Sequence, residues 1–263
     1  MAADEMQPEV ETQQVVRWVA GPTTQLTAPA IPAPTEVPFR PKLRGSVPIL
    51  TVLDDGSSEL GEDFRIRRDT FSIGRTEGDL TIPNDTTMSS LHAEIQRVNS
   101  SGAEAWRLVD RNAQNCTFVR VNAAPIRPDT ILVLGSRRYR LHDSGLQPPP
   151  AARADSTHVL AKAPPPQDGT ASLVEVCEGD GGLRFPLLTN LVLVGRSAVP
   201  NGIAIDDPLL ASHHATLSRS PKDGWRIVSE KTMNGVWVNI RSIKLTRHCL
   251  FRCGEQVFRF VLP

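Results

Sequence analysis

The sequence predicts an all-β chain folded as two antiparallel β-sandwiches joined by a Pro/Ala-rich linker. Three observations carry that prediction: an internal duplication, apolar alternation at the period of a strand, and prolines gathered outside the alternating stretches. The duplication is read directly. FSIGR (71–75), SSLHAEI (89–95), WRLV (106–109) and NCTFV (115–119) recur in the same order as LVGR (193–196), ASHHATL (211–217), WRIV (225–228) and NGVWV (234–238). The matched arginines lie 121 residues apart, the histidines 122, and the tryptophans and asparagines 119. A near-constant offset over four landmarks means a duplicated domain rather than a short solenoid repeat.

The elements follow in order. Residues 50–53, 92–98 and 106–109 alternate apolar and polar side chains, as do residues 214–217, 225–228 and 257–261. Period-two alternation marks half-buried strands, and helical periodicity of useful length is missing. Turn signals separate the strands: Asp54 to Gly56, Glu77 to Asp79, Pro83 to Asp85, Asp206 to Pro208 and Lys222 to Gly224. Gly179 to Gly182 could suggest a phosphate loop. It leads into a strand at Leu183 to Phe185, whereas phosphate cradles open a helix, so it reads as a hairpin turn.

Prolines set the boundaries. Eight of the 22 fall in residues 1–48 and six in residues 144–170. Such segments favour extended conformations and lack the apolar pattern of a core. The reading is therefore a disordered Pro-rich tail (1–46), a first domain (47–143), a Pro-rich linker (144–170) and a second domain (171–263). Each domain is long enough to bury one core.

Charge excludes several function classes. The chain is neutral overall. Neither domain carries the dense basic field that nucleic-acid binding demands, so no nucleic-acid partner is expected. No apolar run approaches the ~20 residues needed to cross a bilayer. The first residues are acidic and polar, unlike a signal peptide, so no membrane partner and a cytoplasmic location are expected. The four cysteines are too few and scattered for a disulfide framework.

Catalytic and metal chemistry find little support. The histidines have no Ser or Cys nucleophile with an orienting acid in a recognisable arrangement, so the chain is not expected to be an enzyme. A zinc alternative would use His213, His214, Cys249 and Cys253. However, residues 249–253 and 257–260 alternate as strands, putting Cys249, Phe251 and Cys253 on one inward face as small buried hydrophobes. No cofactor and no metal are expected.

Gly-Arg at a strand end, Ser-x-x-His some fifteen residues on, and Asn-Gly-x-x-Val after a Trp-bearing strand together resemble the forkhead-associated (FHA) domain, in two tandem copies. The resemblance covers both folded units. It implies β-sandwiches of about eleven strands that bind phosphothreonine peptides through loops at one end. The chemistry suits the residues. Phosphothreonine carries close to two negative charges and three strong acceptors, and a guanidinium fork can make two charge-assisted bonds to it.

Carried over residue by residue, the resemblance makes Arg75 and Ser89 the phosphate-binding pair of the first copy. Ser90 contacts peptide backbone or phosphate, Asn115 hydrogen-bonds the peptide main chain, and Gln114 occupies the adjacent contact position. His92 braces the loop from beneath. Cys116 stands where the family has glycine, which strains the turn if the position needs φ > 0. In the second copy Arg196, His214, Asn234 and Gly235 remain, but Ala211 replaces the phosphate-binding serine, Ser212 follows it, and Met233 precedes Asn234. A one-residue shift of the loop would bring Ser212 into the serine's place. Otherwise Arg196 pairs with Asp206 or Asp207 at the surface. Trp106 and Trp225 are expected in the cores, and Trp237 partly exposed.

The resulting expectation is a phosphothreonine-dependent adaptor or scaffold in kinase signalling, with the first domain the reader. Its partners would be phosphothreonine-containing proteins, a Ser/Thr kinase or its substrate among them. The chain's own tail, phosphorylated at Thr23, Thr24 or Thr27, is a further candidate ligand, as is Thr157 in the linker. The alternative is a phospho-independent interaction scaffold, which Ala211 and Met233 favour.

Overall fold

The computed structural model describes residues 47–100, 103–128, 130–143, 171–177, 182–198, 200 and 202–262. All of them fall in one compact unit, Gly45–Pro263. The expected tail (1–46) and linker (144–170) lie outside the described residues, as do Thr23, Thr24, Thr27 and Thr157.

The described residues form strands and turns. The first half supplies β1 (Ile49–Leu53), β2 (Gly61–Arg65), β3 (Thr70–Gly74), β4 (Leu80–Thr81), β5 (Ala93–Ser100), β6 (Ala103–Asp110), β7 (Thr117–Val121), β8 (Ala123–Ile126), β9 (Ile131–Leu134) and β10 (Arg137–His142). The second half supplies β11 (Ser172–Glu175), β12 (Arg184–Pro186), β13 (Leu191–Gly195), β14 (Ile203–Ala204), β15 (Ala215–Ser220), β16 (Gly224–Ser229), β17 (Val236–Ile240), β18 (Ser242–Leu245), β19 (His248–Cys253) and β20 (Gln256–Val261). The expected all-β class is therefore observed. Every stretch read as alternating lies on a strand except its first residue at His92 and His214, which precede β5 and β15, and β11 pairs antiparallel with β12, while residues 179–181 of the expected turn lie outside the described residues.

The pairing departs from two consecutive sandwiches. One ten-stranded sheet runs through both halves in the order β12-β11-β10-β9-β17-β7-β19-β20-β1-β2. Two five-stranded sheets complete it, ordered β18-β6-β5-β3-β4 and β14-β13-β15-β16-β8. The halves thus exchange their C-terminal strands. Strand β8 pairs with β16, and β10 with β11, while β18 pairs with β6, and β20 with β1. The cores follow the exchange. One gathers Leu50, Ile73, Ile95, Trp106 and Leu108 with Phe251, Cys253, Phe258 and Phe260 from the far end of the chain. The other gathers Val194, Leu217, Trp225 and Ile227 with Leu132, Leu134, Tyr139 and Leu141.

Turn chemistry explains the crossing. A two-residue hairpin needs φ > 0 at its central positions, which Asn-Gly supplies. The hairpin tips that do close carry such a glycine: Gly135 and Gly254 both sit at φ 63. Only Asn122 separates β7 from β8, and only Arg241 separates β17 from β18. Neither junction contains glycine, so each strand continues into the other sandwich instead of folding back. Strands β7 and β17 then lie antiparallel over five residues, Thr117↔Ile240 to Val121↔Val236.

Each half alone lacks strands that close its core. Residues 47–143 expressed alone should show no cooperative thermal transition as a monomer, and mixing with residues 171–263 should restore one. A monomeric, cooperatively melting 47–143 fragment, measured by circular dichroism and sedimentation, would overturn the exchange.

Candidate functional site

At the end of the first sandwich three segments meet: the turn after β3, the β4–β5 loop and the β6–β7 loop. The first two are zipped together by backbone. The Arg75 and Glu77 amides each donate at 2.9 Å, to the carbonyls of Ser89 and Ser90 respectively. Gly74 permits this approach, because a Cβ there would stand 2.0 Å from the Ser90 carbonyl oxygen. That is why glycine precedes the arginine. The third segment is held by Ser89 and His92. The Ser89 hydroxyl accepts from the Gln114 amide at 3.2 Å. Buried His92 accepts from the Ser89 amide at Nδ1 (3.1 Å) and faces the Cys116 carbonyl with Nε2 (3.1 Å), so the proton sits on Nε2. The bracing role implied for His92 is therefore a pair of hydrogen bonds tying two loops together.

Around that frame Arg75 and Ser89 are half-buried, and Ser90 and Gln114 are exposed. Among the described residues the Arg75 guanidinium has no carboxylate within ion-pair distance, which leaves its fork available to an anion. The Asn115 amide donates to the Thr87 carbonyl at 2.8 Å and accepts from Arg138 at 3.1 Å. Cys116 sits at φ 60, in the left-handed region where its glycine counterpart Gly235 sits at φ 63, so the strain expected of a cysteine there is present.

The second site repeats the frame with one link missing. The Arg196 amide donates to the Ala211 carbonyl at 2.9 Å, and Gly195 again passes beneath Ser212. His214 joins the Ala211 amide (3.3 Å) to the Gly235 carbonyl (2.8 Å), and Asn234 donates to the Leu209 carbonyl at 2.7 Å. Ala211 has no hydroxyl to match the bond from Ser89 to the next loop. The Ser212 carbonyl accepts from the Ser197 amide, as the Ser90 carbonyl does from Thr76. Ser212 is therefore the counterpart of Ser90, and the one-residue shift does not occur. Met233 is 91% exposed. Arg196 does not pair with Asp207, whose carboxylate is buried and otherwise engaged.

Residues 71–138 and 192–251 both match the FHA domain family. The chain carries two FHA domains in tandem. FHA domains are phosphothreonine-binding protein-interaction modules, not an enzyme family. Among solved structures, full-length yeast Pml1p is 21% identical with a TM-score of 0.26, the match covering 28% of this chain and 58% of that one. No curated sequence is similar enough to match. Among the described residues no helix is long and apolar enough to cross a membrane.

Two aspartates to which the sequence reading gave no loop-bracing role, Asp85 as a turn residue and Asp207 as a turn residue or a partner of Arg196, position the FHA loops. Asp85 accepts from the Thr87 amide (2.9 Å) and hydroxyl (2.7 Å) within its own loop, and from the Glu255 and Gln256 amides (2.7 and 3.2 Å) at the tip of the β19–β20 hairpin. Asp207 likewise accepts from the Leu209 amide (2.8 Å) and from the Ser136 amide and hydroxyl (both 2.7 Å) at the β9–β10 tip. Each aspartate clamps a hairpin contributed by the other half of the chain. Their 122-residue separation, the same as that of the histidines, was the available signal.

Two further expectations meet the structure here. Trp237 is buried, 8% exposed, and not partly exposed, because it packs with Phe118 and Val133 while its indole donates to the Asn234 carbonyl. The zinc alternative needs His214 and Cys253 together, yet His214 braces the second site and Cys253 belongs to the core of the first sandwich. Burial raises the thiol pKa of Cys249 to about 11 and that of Cys253 further, as expected of packed hydrophobes.

Burial holds His92 and His214 below the usual 6.5, against carbonyl bonds from Cys116 and Gly235 that act in the opposite sense. The unfolded chain therefore binds these protons first, and stability falls as pH drops below 6.5 toward the depressed folded values. For Asp85 and Asp207 burial raises the pKa, but the amide and hydroxyl bonds outweigh it and hold both below 3.8. Their contribution is present above that value and lost as pH falls through the lowered ones. The denaturant midpoint should drop between about pH 7 and 5.5, and again below about pH 4. A midpoint flat across the first interval would show that the histidines are not held neutral.

Proposed function

We propose that the chain is a phosphothreonine-dependent adaptor or scaffold in kinase signalling, with the first FHA domain as its reader. The observation that carries this reading is Arg75, half-buried with no ion-pair partner among the described residues, on a turn zipped to Ser89 and Ser90 near exposed Gln114, in a loop frame tied by His92 and Asp85. Arg75 and Ser89 would take the phosphate, and Ser90, Gln114 and Asn115 the peptide. The ligands are phosphothreonine-bearing proteins such as a Ser/Thr kinase or its substrate. The chain's own tail, phosphorylated at Thr23, Thr24 or Thr27, is a ligand in cis, since tethering supplies effective concentrations on the order of millimolar.

Arg196, Ser212 and Asn234 would form the weaker site, because Ala211 gives up one hydroxyl donor. For this second domain a phospho-independent contact is the competing reading, and exposed Met233 favours it.

Because the halves share strands, the test uses the full chain. A degenerate peptide library with fixed Thr or phospho-Thr should be bound only in the phosphorylated form. Arg75→Ala should weaken binding by at least ~2 kcal/mol without altering the fold, since two charge-assisted bonds go. In that background Ala211→Ser should raise residual binding at the second site. Unchanged calorimetric affinity of the folded Arg75→Ala variant would sink the phosphate assignment, and unphosphorylated peptides bound through Met233 would favour the competing reading for the second domain.

A further inference from the structure

The ten-stranded sheet turns one face to the two cores, and the other face is a product of the exchange. Cross-strand register puts Arg138, Arg140, Arg120, Arg252 and Arg259 on that second face, around a small cluster of Phe118, Val133 and Trp237. Two of these arginines converge. Arg252 is the direct cross-strand neighbour of Phe118, and the Arg138 guanidinium lies 5.6 Å from the centre of the same ring. Beyond the ring, their polar contacts are to neutral groups, the Asn115 side-chain oxygen and the Gly254 carbonyl, each at 3.1 Å.

Among the described residues neither guanidinium has a carboxylate within ion-pair distance. Burial, and then the charge of Arg138, depress the pKa of Arg252, while Glu255 and Asp85 offset part of this from farther away. Two half-buried cations close to each other, with no carboxylate within ion-pair distance among the described residues, repel each other, and an incoming anion relieves both. The position selects which anion. Arg138 holds the same Asn115 amide that anchors the first site's loop at Thr87.

We infer that Arg138 and Arg252 form a second anion subsite, contiguous with the Arg75 site, that binds a carboxylate or phosphate carried by the same phosphopeptide near its phosphothreonine. The inference rests on the proposed phosphopeptide reading. It makes the first site selective for doubly charged ligands, with selectivity supplied by strands brought together through the exchange rather than by the site's own loops.

The test measures affinity of the full chain for a phosphothreonine peptide with neutral flanks and for a set in which one Glu is walked along those flanks. One Glu position should improve affinity about tenfold or more, the worth of one charge-assisted bond. Arg138→Gln and Arg252→Gln should each bring the acidic-to-neutral affinity ratio toward one, and Arg138→Lys, which keeps the charge, should retain part of it. Absence of a preferred Glu position, or a preference that survives both Gln substitutions, overturns the subsite. If no phosphopeptide binds at all, the Arg75 reading fails separately. Sulfate titration then decides the subsite through the Arg138 and Arg252 Nε–H resonances: saturable shifts sustain it, and unmoved signals overturn it.

Discussion

Everything in this molecule depends on the antiparallel contact between β7 and β17. Each of these strands leaves a site loop, at Cys116 or Gly235, and each runs on into the opposite sandwich. Their ladder satisfies backbone groups that would otherwise form an exposed edge, and it joins two five-strand arrays into one sheet. The cores on either side of it draw side chains from both ends of the chain. The halves are two FHA domains by sequence and one interlocked structure by packing.

The exchange also determines how the binding loops are held. In an uninterrupted domain a hairpin tip bracing a loop would come from the same module. Here Asp85 grips the Glu255–Gln256 tip and Asp207 grips Ser136, so each loop depends on a segment about 70 to 170 residues away in sequence. Charged acceptors receiving several amide donors are among the stronger hydrogen-bonding arrangements, and fixed loops lower the entropic cost of binding. Opening one sandwich would therefore loosen the site of the other half's loops as well as its core. The difference between the two sites is local by comparison. Ser89 ties its loop to Gln114, and Ala211 cannot make the equivalent tie.

The sequence by itself determined the strands, their duplication and the residues that gather at the loop end of each sandwich, because alternation, turn glycines and the repeated Gly-Arg, His and Asn positions are local signals. Arg75, Ser89, His92 and Asn115 come together as their order and spacing implied, and Cys116 adopts the left-handed conformation its glycine counterpart foretold. The tertiary structure decided the rest. Which copy of a strand pairs with which sheet cannot be read from a duplicated pattern, since both partners present the same alternation. The buried place of Trp237, the two aspartate clamps, and the placing of Arg138 and Arg252 beside Phe118 all follow from that choice of partner. The physical reason lies in two junctions, Asn122 and Arg241, too short and without the glycine that a return turn requires.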